Sequence, residues 1–190
     1  KNPETLTLFA FSSENWGRSD EEISLIMKLL AQALEEQIPR LIENKVQLSF
    51  IGDLLKFDVD LQKRMKKAER LTLCQDEKKL DLVIAASYGG RWDIVQAIEK
   101  IKGIKEEVEI NEELVSSLTS LAPFSDPDLC IRTGGEYRVS NFLLWHLAYS
   151  ELYFSELFWP DFDSNQFELA LDEYSRRQRR FGDQSNFSAT

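Results

Sequence analysis

The 190-residue sequence contains few of the residues on which small scaffolds and metal sites usually depend. It has two cysteines and one histidine, and neither Cys74 nor Cys130 stands in a metal-ligand spacing. These counts exclude a disulfide framework and a Cys/His metal cluster, and two inert thiols suit a reducing compartment. No apolar run approaches the ~20 residues of a membrane span. We therefore expect a soluble, cytoplasmic protein.

Glycine and proline are also scarce, with eight and five residues, and they form no linker or low-complexity tract. Collagen-like and disordered chains are excluded, because 43% of the residues are hydrophobic and 11% are aromatic. A chain of this length buries roughly 70% of its unfolded surface and holds a core without cross-links. We therefore predict one domain over residues 1–190.

Positive charge falls short of negative charge, with 23 basic and 33 acidic side chains and a net charge of −10. Residues 1–105 carry 17 of each sign, whereas residues 106–190 carry 6 arginines, no lysine and 16 acidic side chains. A nucleic-acid binder usually has the opposite balance, so we expect no nucleic-acid partner. The arginine forks match phosphate or carboxylate groups, but ion pairs and helix ends explain them equally well.

Short β-rich segments alternate with amphipathic segments along the chain. The β-rich segments are residues 5–11, 46–51, 80–86, 129–132 and 152–154. Several are nearly continuous apolar runs, which is typical of a parallel sheet covered on both faces. The alternation predicts an α/β fold with a mostly parallel, twisted sheet flanked by helices. Because GxGxxG is absent, we do not expect a nucleotide-binding Rossmann domain.

The helices between these strands have recognisable start signals. Ser19 and Glu22 form a capping box before a helix with a broad apolar face, and Pro39 inside that helix predicts a kink or an early break. The last helix is expected to be capped by Ser164. The other predicted helices cover residues 58–71, with Leu61, Met65 and Ala68 facing inward, residues 93–101 and residues 111–121.

Ligands of open α/β sheets bind beyond the carboxyl ends of the strands, which directs attention to the loops there. The loop after the first strand, residues 12–18, is polar and leads into the capped helix. Amide groups at a helix start and the adjacent Arg18 favour an anion. A plain strand-to-helix loop, turned by Asn15 and Gly17, explains the same residues.

The loop after the fourth strand, residues 132–141, combines two arginines, two glycines, a threonine and a serine. Flexible backbone, hydroxyl groups and two guanidinium forks suit a phosphate or diphosphate, although the GxxxxGK[ST] phosphate-binding loop is absent. An Arg–Glu pair that braces a glycine turn is the structural alternative. The two glycines of residues 87–93, after the third strand, permit either close approach to a ligand or a tight turn.

Several other charged residues have both a functional and a structural explanation. Acidic side chains near a diphosphate site usually bridge to it through Mg²⁺, but each can equally be a solvated carboxylate. The arginine run at residues 176–180 is expected to complement a helix C-terminus or to form an interface, and His146 is expected to be packed in the interior. The acidic candidates for Mg²⁺ are Glu151, Glu156, Asp161 and Asp163.

Taken together, the loops resemble the cis-prenyltransferase family. The matching phrases are Phe11-Ser-Ser-Glu-Asn-Trp16 with Arg18, Tyr88-Gly-Gly-Arg91, and Arg132-Thr-Gly-Gly-Glu136 with Arg138 and Ser140-Asn-Phe142. Three later phrases also match: Glu151-Leu-Tyr-Phe154, Trp159-Pro-Asp161 and Arg179-Arg-Phe-Gly182. The resemblance covers about residues 5–182, and its specificity comes from several motifs in one order.

The resemblance implies a transferase that elongates farnesyl diphosphate by successive cis condensations of isopentenyl diphosphate, with Mg²⁺ and as a homodimer. The implied product is a long polyprenyl diphosphate, undecaprenyl diphosphate in bacterial members, which is the lipid-carrier precursor for cell-wall synthesis. Transient contact with a membrane surface is expected when the product is released. The apolar face of the helix after Ser19 would line a tunnel for the growing chain, although an ordinary core explains that face too.

Site residues are also implied by the resemblance. Asn15 matches the position assigned to proton removal and is the catalytic candidate, and Glu151 is the metal-binding candidate. The substrate-binding candidates are Ser12, Trp16, Arg18, Arg132, Arg138, Val139 and Ser140. Among these, Arg132, Arg138 and Ser140 would hold the diphosphate of isopentenyl diphosphate.

One departure from the family is substantial. Family members begin with a strand, an Asp-Gly-Asn-Gly-Arg-Trp phosphate loop and a helix, and nothing in this sequence matches that segment. We therefore expect a domain that lacks these elements, holds the isopentenyl half-site and shows no measurable chain elongation on its own. Two rivals remain: a non-catalytic partner subunit of the same fold, which would tolerate loss of Arg132, and an unrelated phosphate or nucleotide binder.

Overall fold

The computed structural model describes residues 3–74 and 78–177. The chain divides after Ser125 into two compact units, called here the first unit (residues 1–125) and the second unit (residues 126–190). The single domain expected from the lack of a linker stays a prediction. Among the described residues, no helix is long and apolar enough to cross a membrane.

The first unit is built on a three-stranded parallel sheet. Its strands are β1 (Thr5–Ser12), β2 (Val46–Ile51) and β3 (Leu80–Tyr88), in the order β1-β3-β2. Central β3 carries the nearly continuous apolar run expected of a strand with two covered faces. In this register Ser12 lies opposite Tyr88, and Ile51 lies opposite Ala85. The three carboxyl ends therefore meet at one edge.

Two helices pack against β2. Helix α1 (Asp20–Glu43) begins at Ser19, whose Oγ accepts from the Glu22 amide as the capping box predicts. Helix α2 (Val59–Leu71) begins at Asp58 and buries the three predicted side chains. The core also takes in both flanking strands: its fully buried members are Phe11, Leu34, Leu48, Phe50, Phe57, Leu61, Met65, Ala68 and Ala86.

Pro39 does not end helix α1, which continues to Glu43. The early break offered as one outcome of this proline is therefore wrong. A proline removes one backbone hydrogen bond, and here the lost bond is only one turn from the helix end. Ile38 and Leu41 pack against the core on either side of it, so tertiary contacts hold the last turn in place.

The boundaries of the next two helices differ from the prediction. Helix α3 (Gly90–Lys102) begins three residues before Asp93, and helix α4 (Glu112–Leu118) ends before Leu121. Helix α4 stops because Thr119 has extended backbone and its Oγ1 donates to the Ser116 carbonyl at 2.8 Å. A threonine side chain that bonds a nearby carbonyl competes with helix continuation.

The second unit contains a two-stranded parallel sheet and one helix. Strands β4 (Leu129–Arg132) and β5 (Glu151–Phe154) pair in register from Leu129 opposite Glu151 to Arg132 opposite Phe154. Helix α5 spans Ser164–Arg176. The cap is Asp163, whose Oδ1 accepts a hydrogen bond from the Gln166 amide at 3.0 Å. The prediction that Ser164 caps this helix is therefore wrong. All strand pairs in the described residues are parallel, as the sequence predicted.

Candidate functional site

The segment after β1 folds into a short 3₁₀ helix, Ser13–Gly17, which holds the catalytic candidate Asn15. The Oδ1 atom of Asn15 accepts a hydrogen bond from the Ser12 amide at 2.9 Å. Because a backbone N–H can only donate, this bond fixes which end of the side-chain amide faces Ser12. The Nδ2 group is thereby turned to the other side, where it can donate to a ligand.

Trp16 packs back onto the core instead of projecting into solvent. Its ring lies 5.0 Å from the ring of Phe11 and 5.4 Å from that of Phe57, both of which are buried. The indole Nε1 donates to the Ser87 hydroxyl at 2.9 Å. The 3₁₀ helix is therefore anchored to the end of β3.

Ser87, near the end of β3, also bonds to the segment that follows β2. It is 1% exposed and has a φ of 53°, in the left-handed region that residues other than glycine seldom adopt. Its carbonyl accepts from the Asp53 amide at 3.1 Å. Next to it, Gly52 has a φ of 119°, and a Cβ there would lie 2.1 Å from the Ala86 carbonyl oxygen. The ends of β2 and β3 thus lie too close together for a side chain at position 52.

A buried hydrogen-bond network supports the turn that follows β3. The Tyr88 hydroxyl donates to Asp93 Oδ2 at 2.9 Å, and the Ser120 amide and hydroxyl donate to Oδ1 at 2.8 and 2.7 Å. Burial, followed by the charge of Asp93 and this hydrogen bond, raises the pKa of Tyr88 far above its ordinary value. These contacts favour the structural explanation of residues 87–93, a tight strand-to-helix turn.

Among the candidate residues of the first unit, Arg18 carries a positive charge that is accessible to solvent. Its side chain is half exposed, and its Nη1 lies 3.9 Å from Glu22 Oε1, which is also exposed. An exposed pair at this distance contributes little to stability. The guanidinium can therefore exchange Glu22 for a phosphate group at low cost.

In the second unit, the loop between β4 and β5 places Arg132 beside Ser140. The Arg132 Nη1 donates to the Ser140 hydroxyl at 2.8 Å. Its Nε is buried and has no hydrogen-bond partner among the described residues. A buried guanidinium N–H without a partner is unfavourable, so the hydrogen-bonding capacity of Arg132 is not fully used by the described residues.

The backbone of this loop is unusually rich in left-handed residues. Positive φ occurs at Gly134, Gly135, Ser140, Asn141 and Leu143. The glycine end is tied down, because the Gly134 amide donates to the Leu157 carbonyl and the Gly135 amide to the Ser155 carbonyl. These two amides are already paired within the unit, so the anion-binding capacity of the loop lies in its side chains.

Arg138 differs from Arg132 in both exposure and partner. Its side chain is 62% exposed, and its Nη1 is paired with Glu136. The structural alternative from the sequence, an Arg–Glu pair at the glycine turn, thus exists for Arg138. Since the pair is open to solvent, it can dissociate readily when a more highly charged anion arrives. Val139, between the arginine and Ser140, accepts from the Phe142 amide through its carbonyl.

Glu151, the metal candidate, is paired with an arginine that was not expected to be near it. Its Oε2 accepts from Arg177 Nη1 at 2.9 Å, and Arg177 also donates to the Leu152 carbonyl and to Glu173. This pairing accounts for Arg177 structurally, while residues 178–180 lie outside the described residues. Among the described residues, no group of three His, Cys, Asp or Glu side chains could hold a metal ion.

The remaining acidic candidates have structural partners. Glu156 accepts from the Tyr137 hydroxyl, which raises the pKa of Tyr137, and its Oε2 would lie 2.9 Å from a Cβ at position 135. Asp163 caps helix α5, and Asp161 ends a 3₁₀ turn. His146 is buried, as predicted, and its Nδ1 lies 2.6 Å from Asp126 Oδ1.

Two clefts lie between α1 and α2, with volumes of about 540 and 260 Å³. Glu35 and Arg64 line both and form an ion pair. On the apolar face of α1, from which the tunnel was inferred, Leu34 is buried in the core, and Met27, Leu30 and Leu41 pack against it. These contacts support the ordinary-core explanation of this face, and the larger cleft is lined by both polar and apolar side chains, so the tunnel stays a prediction.

Comparison with known proteins places this arrangement in a family. Residues 2–182 match the prenyltransferase family model described as undecaprenyl diphosphate synthase. The chain belongs to this family. Its membership confirms the resemblance seen in the loops and makes the protein a prenyltransferase, with a fold that its structural relatives share.

The similar proteins cover nearly the whole chain. A Yersinia pseudotuberculosis protein named ditrans,polycis-undecaprenyl-diphosphate synthase ((2E,6E)-farnesyl-diphosphate specific) is 47% identical over 100% of this chain and 76% of its own length. The protein of that name in Escherichia coli K12 is 46% identical over 94% of this chain and 72% of its own length.

Two solved structures have the same fold. A probable undecaprenyl diphosphate synthase from Campylobacter jejuni superimposes with a TM-score of 0.86 at 36% identity, over 94% of this chain and 83% of that one. Lavandulyl diphosphate synthase from Lavandula x intermedia, in complex with dimethylallyl diphosphate, gives a TM-score of 0.88 at 34% identity, over 94% and 79%. The fold therefore supports more than one prenyl product.

Three hydrogen-bond partners of residues in or next to the candidate site were not predicted from the sequence. Ser87 was noted as part of a loop but given no role, although it holds Trp16. Ser120 and Arg177 were not connected with Asp93 and Glu151. These pairs are 71, 27 and 26 residues apart, so no local motif could reveal them.

Proposed function

We propose that this prenyltransferase elongates farnesyl diphosphate by successive cis condensations of isopentenyl diphosphate to undecaprenyl diphosphate, the lipid-carrier precursor for cell-wall synthesis. Support comes from relatives whose names specify farnesyl diphosphate and undecaprenyl diphosphate. The observation that carries the proposal is Arg132, whose fork is aligned by Ser140 and whose Nε has no hydrogen-bond partner among the described residues.

The diphosphate of isopentenyl diphosphate is the anion that these residues suit. Arg132 is preset by Ser140, so its fork needs little reorganisation on binding. Arg138 is exposed and adds a second fork once it leaves Glu136. Charge-assisted bonds from guanidinium groups to phosphate oxygens are about twice as strong as neutral ones. Ser140 and Val139 complete the binding segment.

The reaction requires three events: a diphosphate leaves the allylic substrate, a carbon–carbon bond forms, and isopentenyl diphosphate loses a proton. The growing negative charge on the leaving group needs fixed cations and donors, and Arg18 is suited to that role. Asn15 is a poor base because its amide is neutral. It positions the proton acceptor, a diphosphate oxygen or a water molecule, through the Nδ2 group that Ser12 directs. Trp16 contacts the substrate.

Mg²⁺ is the proposed metal, and Glu151 would hold it. Magnesium in proteins usually takes one or two carboxylates, with substrate phosphates and water as its other ligands. Glu151 offers one carboxylate, of which Oε2 is shared with Arg177, and this single-carboxylate set fits such a site. The ion would neutralise diphosphate charge.

The cellular setting follows from the same family. We propose a cytoplasmic homodimer with transient membrane contact during product release and no nucleic-acid partner. A net charge of −10 disfavours polyanions and strongly anionic membranes. Sedimentation of the protein at micromolar concentration tests the dimer, because a 22.0 kDa species there would contradict it.

Replacement of Arg132 tests the function through substrate binding. Titration calorimetry with isopentenyl diphosphate and Mg²⁺ should show a dissociation constant for Arg132→Ala about 10–100 times that of the original chain, since a hydrogen bond to a charged group contributes ~1.5–3 kcal/mol. Ser140→Ala should weaken binding less, because it removes the positioning of Arg132 but not the charge.

Arg176→Ala is the matched control, since it removes an exposed arginine from the same unit. Equal weakening by both variants would mean that only net charge matters and would contradict the proposal. A scaffold subunit predicts that Arg132→Ala changes nothing. A general phosphate or nucleotide binder predicts that ATP binds as tightly as isopentenyl diphosphate.

A further inference from the structure

We infer that Ser87 is a positioning residue for the reaction: its hydroxyl holds Trp16, and with it the turn that contains Asn15, in the substrate-binding conformation. This inference rests on the proposed function, because it assigns Ser87 a task towards the same substrates. It adds a residue that carries no charge and lies 71 positions from Trp16 along the chain.

The indole group of Trp16 has only one donor, Nε1, and Ser87 Oγ receives it at 2.9 Å. The neighbouring rings of Phe11 and Phe57 are apolar and meet the indole edge-on and tilted, at interplanar angles of 74° and 51°. Neither ring offers an acceptor for the indole N–H, so these contacts do not by themselves decide which way Nε1 points. The hydrogen bond to Ser87 selects one orientation.

The fixed orientation of Trp16 also restricts the neighbouring residues, because they lie in the same short turn. Asn15 precedes it directly, and the Asn15 carbonyl accepts from the Arg18 amide at 3.1 Å, which closes the turn. The Asn15 side chain is in turn bonded to Ser12, at the end of β1. One serine on β3 therefore orders three of the proposed substrate-facing residues.

The backbone at Ser87 indicates that its hydroxyl, not its conformation, matters for this task. With φ at 53° and 1% exposure, the position suits glycine better than serine. A glycine would adopt the conformation without strain, but it would offer Trp16 no acceptor. Replacement by glycine consequently separates stability from positioning.

The experiment compares the original chain with Ser87→Gly and Ser87→Ala. In a ¹H–¹⁵N spectrum the four tryptophans give four indole cross-peaks, and Trp16→Phe identifies the one from Trp16. Both Ser87 variants should move that peak upfield and speed its hydrogen exchange. The dissociation constant for isopentenyl diphosphate should rise about three- to tenfold. The melting temperature should fall less for Ser87→Gly than for Ser87→Ala, because only glycine relieves the left-handed backbone.

Combining Ser87→Gly with Trp16→Phe tests whether Ser87 acts on binding through Trp16. In Trp16→Phe, which lacks the donor, adding Ser87→Gly should not weaken binding further. An unmoved indole peak would overturn the inference, as would a moved peak with unchanged affinity, or an equal loss in the Trp16→Phe background. If the original chain fails to bind isopentenyl diphosphate, the proposed function fails too, and the indole peak alone reports whether the hydrogen bond exists.

Discussion

The two arginines of the β4–β5 loop show how neighbouring residues of one type can be prepared for different tasks. Arg132 is half-buried, aligned by a neutral hydroxyl, and has a buried Nε donor that finds no partner in residues 3–74 and 78–177. Arg138 is exposed and already paired with a carboxylate. The first is preorganised for an anion, and the second must exchange partners. Most of the selectivity should therefore come from Arg132.

Asn15 permits a test of whether its side chain acts as a donor or as a base. Asn15→Asp keeps the oxygen that accepts from Ser12 but replaces the Nδ2 donor by a carboxylate oxygen. We expect the fold to persist and the dissociation constant for isopentenyl diphosphate to rise about tenfold, because a donor is lost and the added negative charge repels a diphosphate.

Calorimetry and a melting curve check this expectation for Asn15. The control is Asn15→Ala, which removes both hydrogen-bonding ends and should also weaken the turn around Ser12. If Asn15→Asp binds isopentenyl diphosphate as tightly as the original chain, the donor role assigned to Nδ2 is wrong.

At the scale of elements, periodicity and caps predicted what depends on local sequence. Strands β2 and β4 and the inward face of α2 agree with the prediction because their apolar patterns are regular. The cap of α5 was misplaced by one residue because Asp163 and Ser164 are both good caps, and only the bond to Gln166 decides between them. Pro39 was overrated because core packing outweighs one lost hydrogen bond.

Contacts between elements could not be predicted, and these organise the candidate residues. The sequence identified Trp16 but not Ser87, and Glu151 but not Arg177. Both partners lie on other elements, where the register of β3 and the end of α5 decide the contact. Local motifs therefore specify which side chains are present, while the packing of elements specifies what holds them.

The junction of β2 with β3 depends on Gly52. A Cβ there would lie 2.1 Å from the Ala86 carbonyl oxygen, and φ is 119°. Gly52→Ala should lower the free energy of unfolding by about 2–5 kcal/mol, since both backbone strain and overpacking are incurred. For a chain of this length the melting temperature should fall by roughly 5–15 °C.

Gly17→Ala is the matched control for Gly52→Ala. A Cβ at Gly17 would meet no atom within 4 Å, so the change should stay within about 0.5 kcal/mol. Thermal unfolding followed by circular dichroism measures both variants. Equal melting temperatures for the two would show that the β2 and β3 ends can separate without cost.

For the molecule as a whole, the charge distribution limits which anions the arginines attract. Residues 106–190 combine 16 acidic side chains with 6 arginines, so the arginines stand in a negative surrounding field. Such a field attracts polyanions only weakly over long distances. At short range, the guanidinium groups can still form hydrogen bonds with a small diphosphate. Affinity for isopentenyl diphosphate should therefore depend on fit at Arg132 more than on net charge.

The buried Tyr88 phenol links the stability of the whole fold to alkaline pH. Burial and the neighbouring Asp93 raise its pKa well above the ordinary value of about 10. Between these values the folded chain keeps a proton that the unfolded chain has lost, so the unfolded state is favoured as pH rises. The stabilisation is complete below about pH 10 and declines above it.

Phenolate absorbance at 295 nm, recorded with far-ultraviolet circular dichroism from pH 8 to 13, measures this link. The sequence contains five tyrosines, so the Tyr88→Phe variant is needed to assign the Tyr88 contribution to the absorbance. Tyr88 should ionise only as the helical signal collapses, and Tyr88→Phe should lose that late phase. Ionisation of Tyr88 before any loss of helical signal would show that the Tyr88–Asp93 network opens without unfolding.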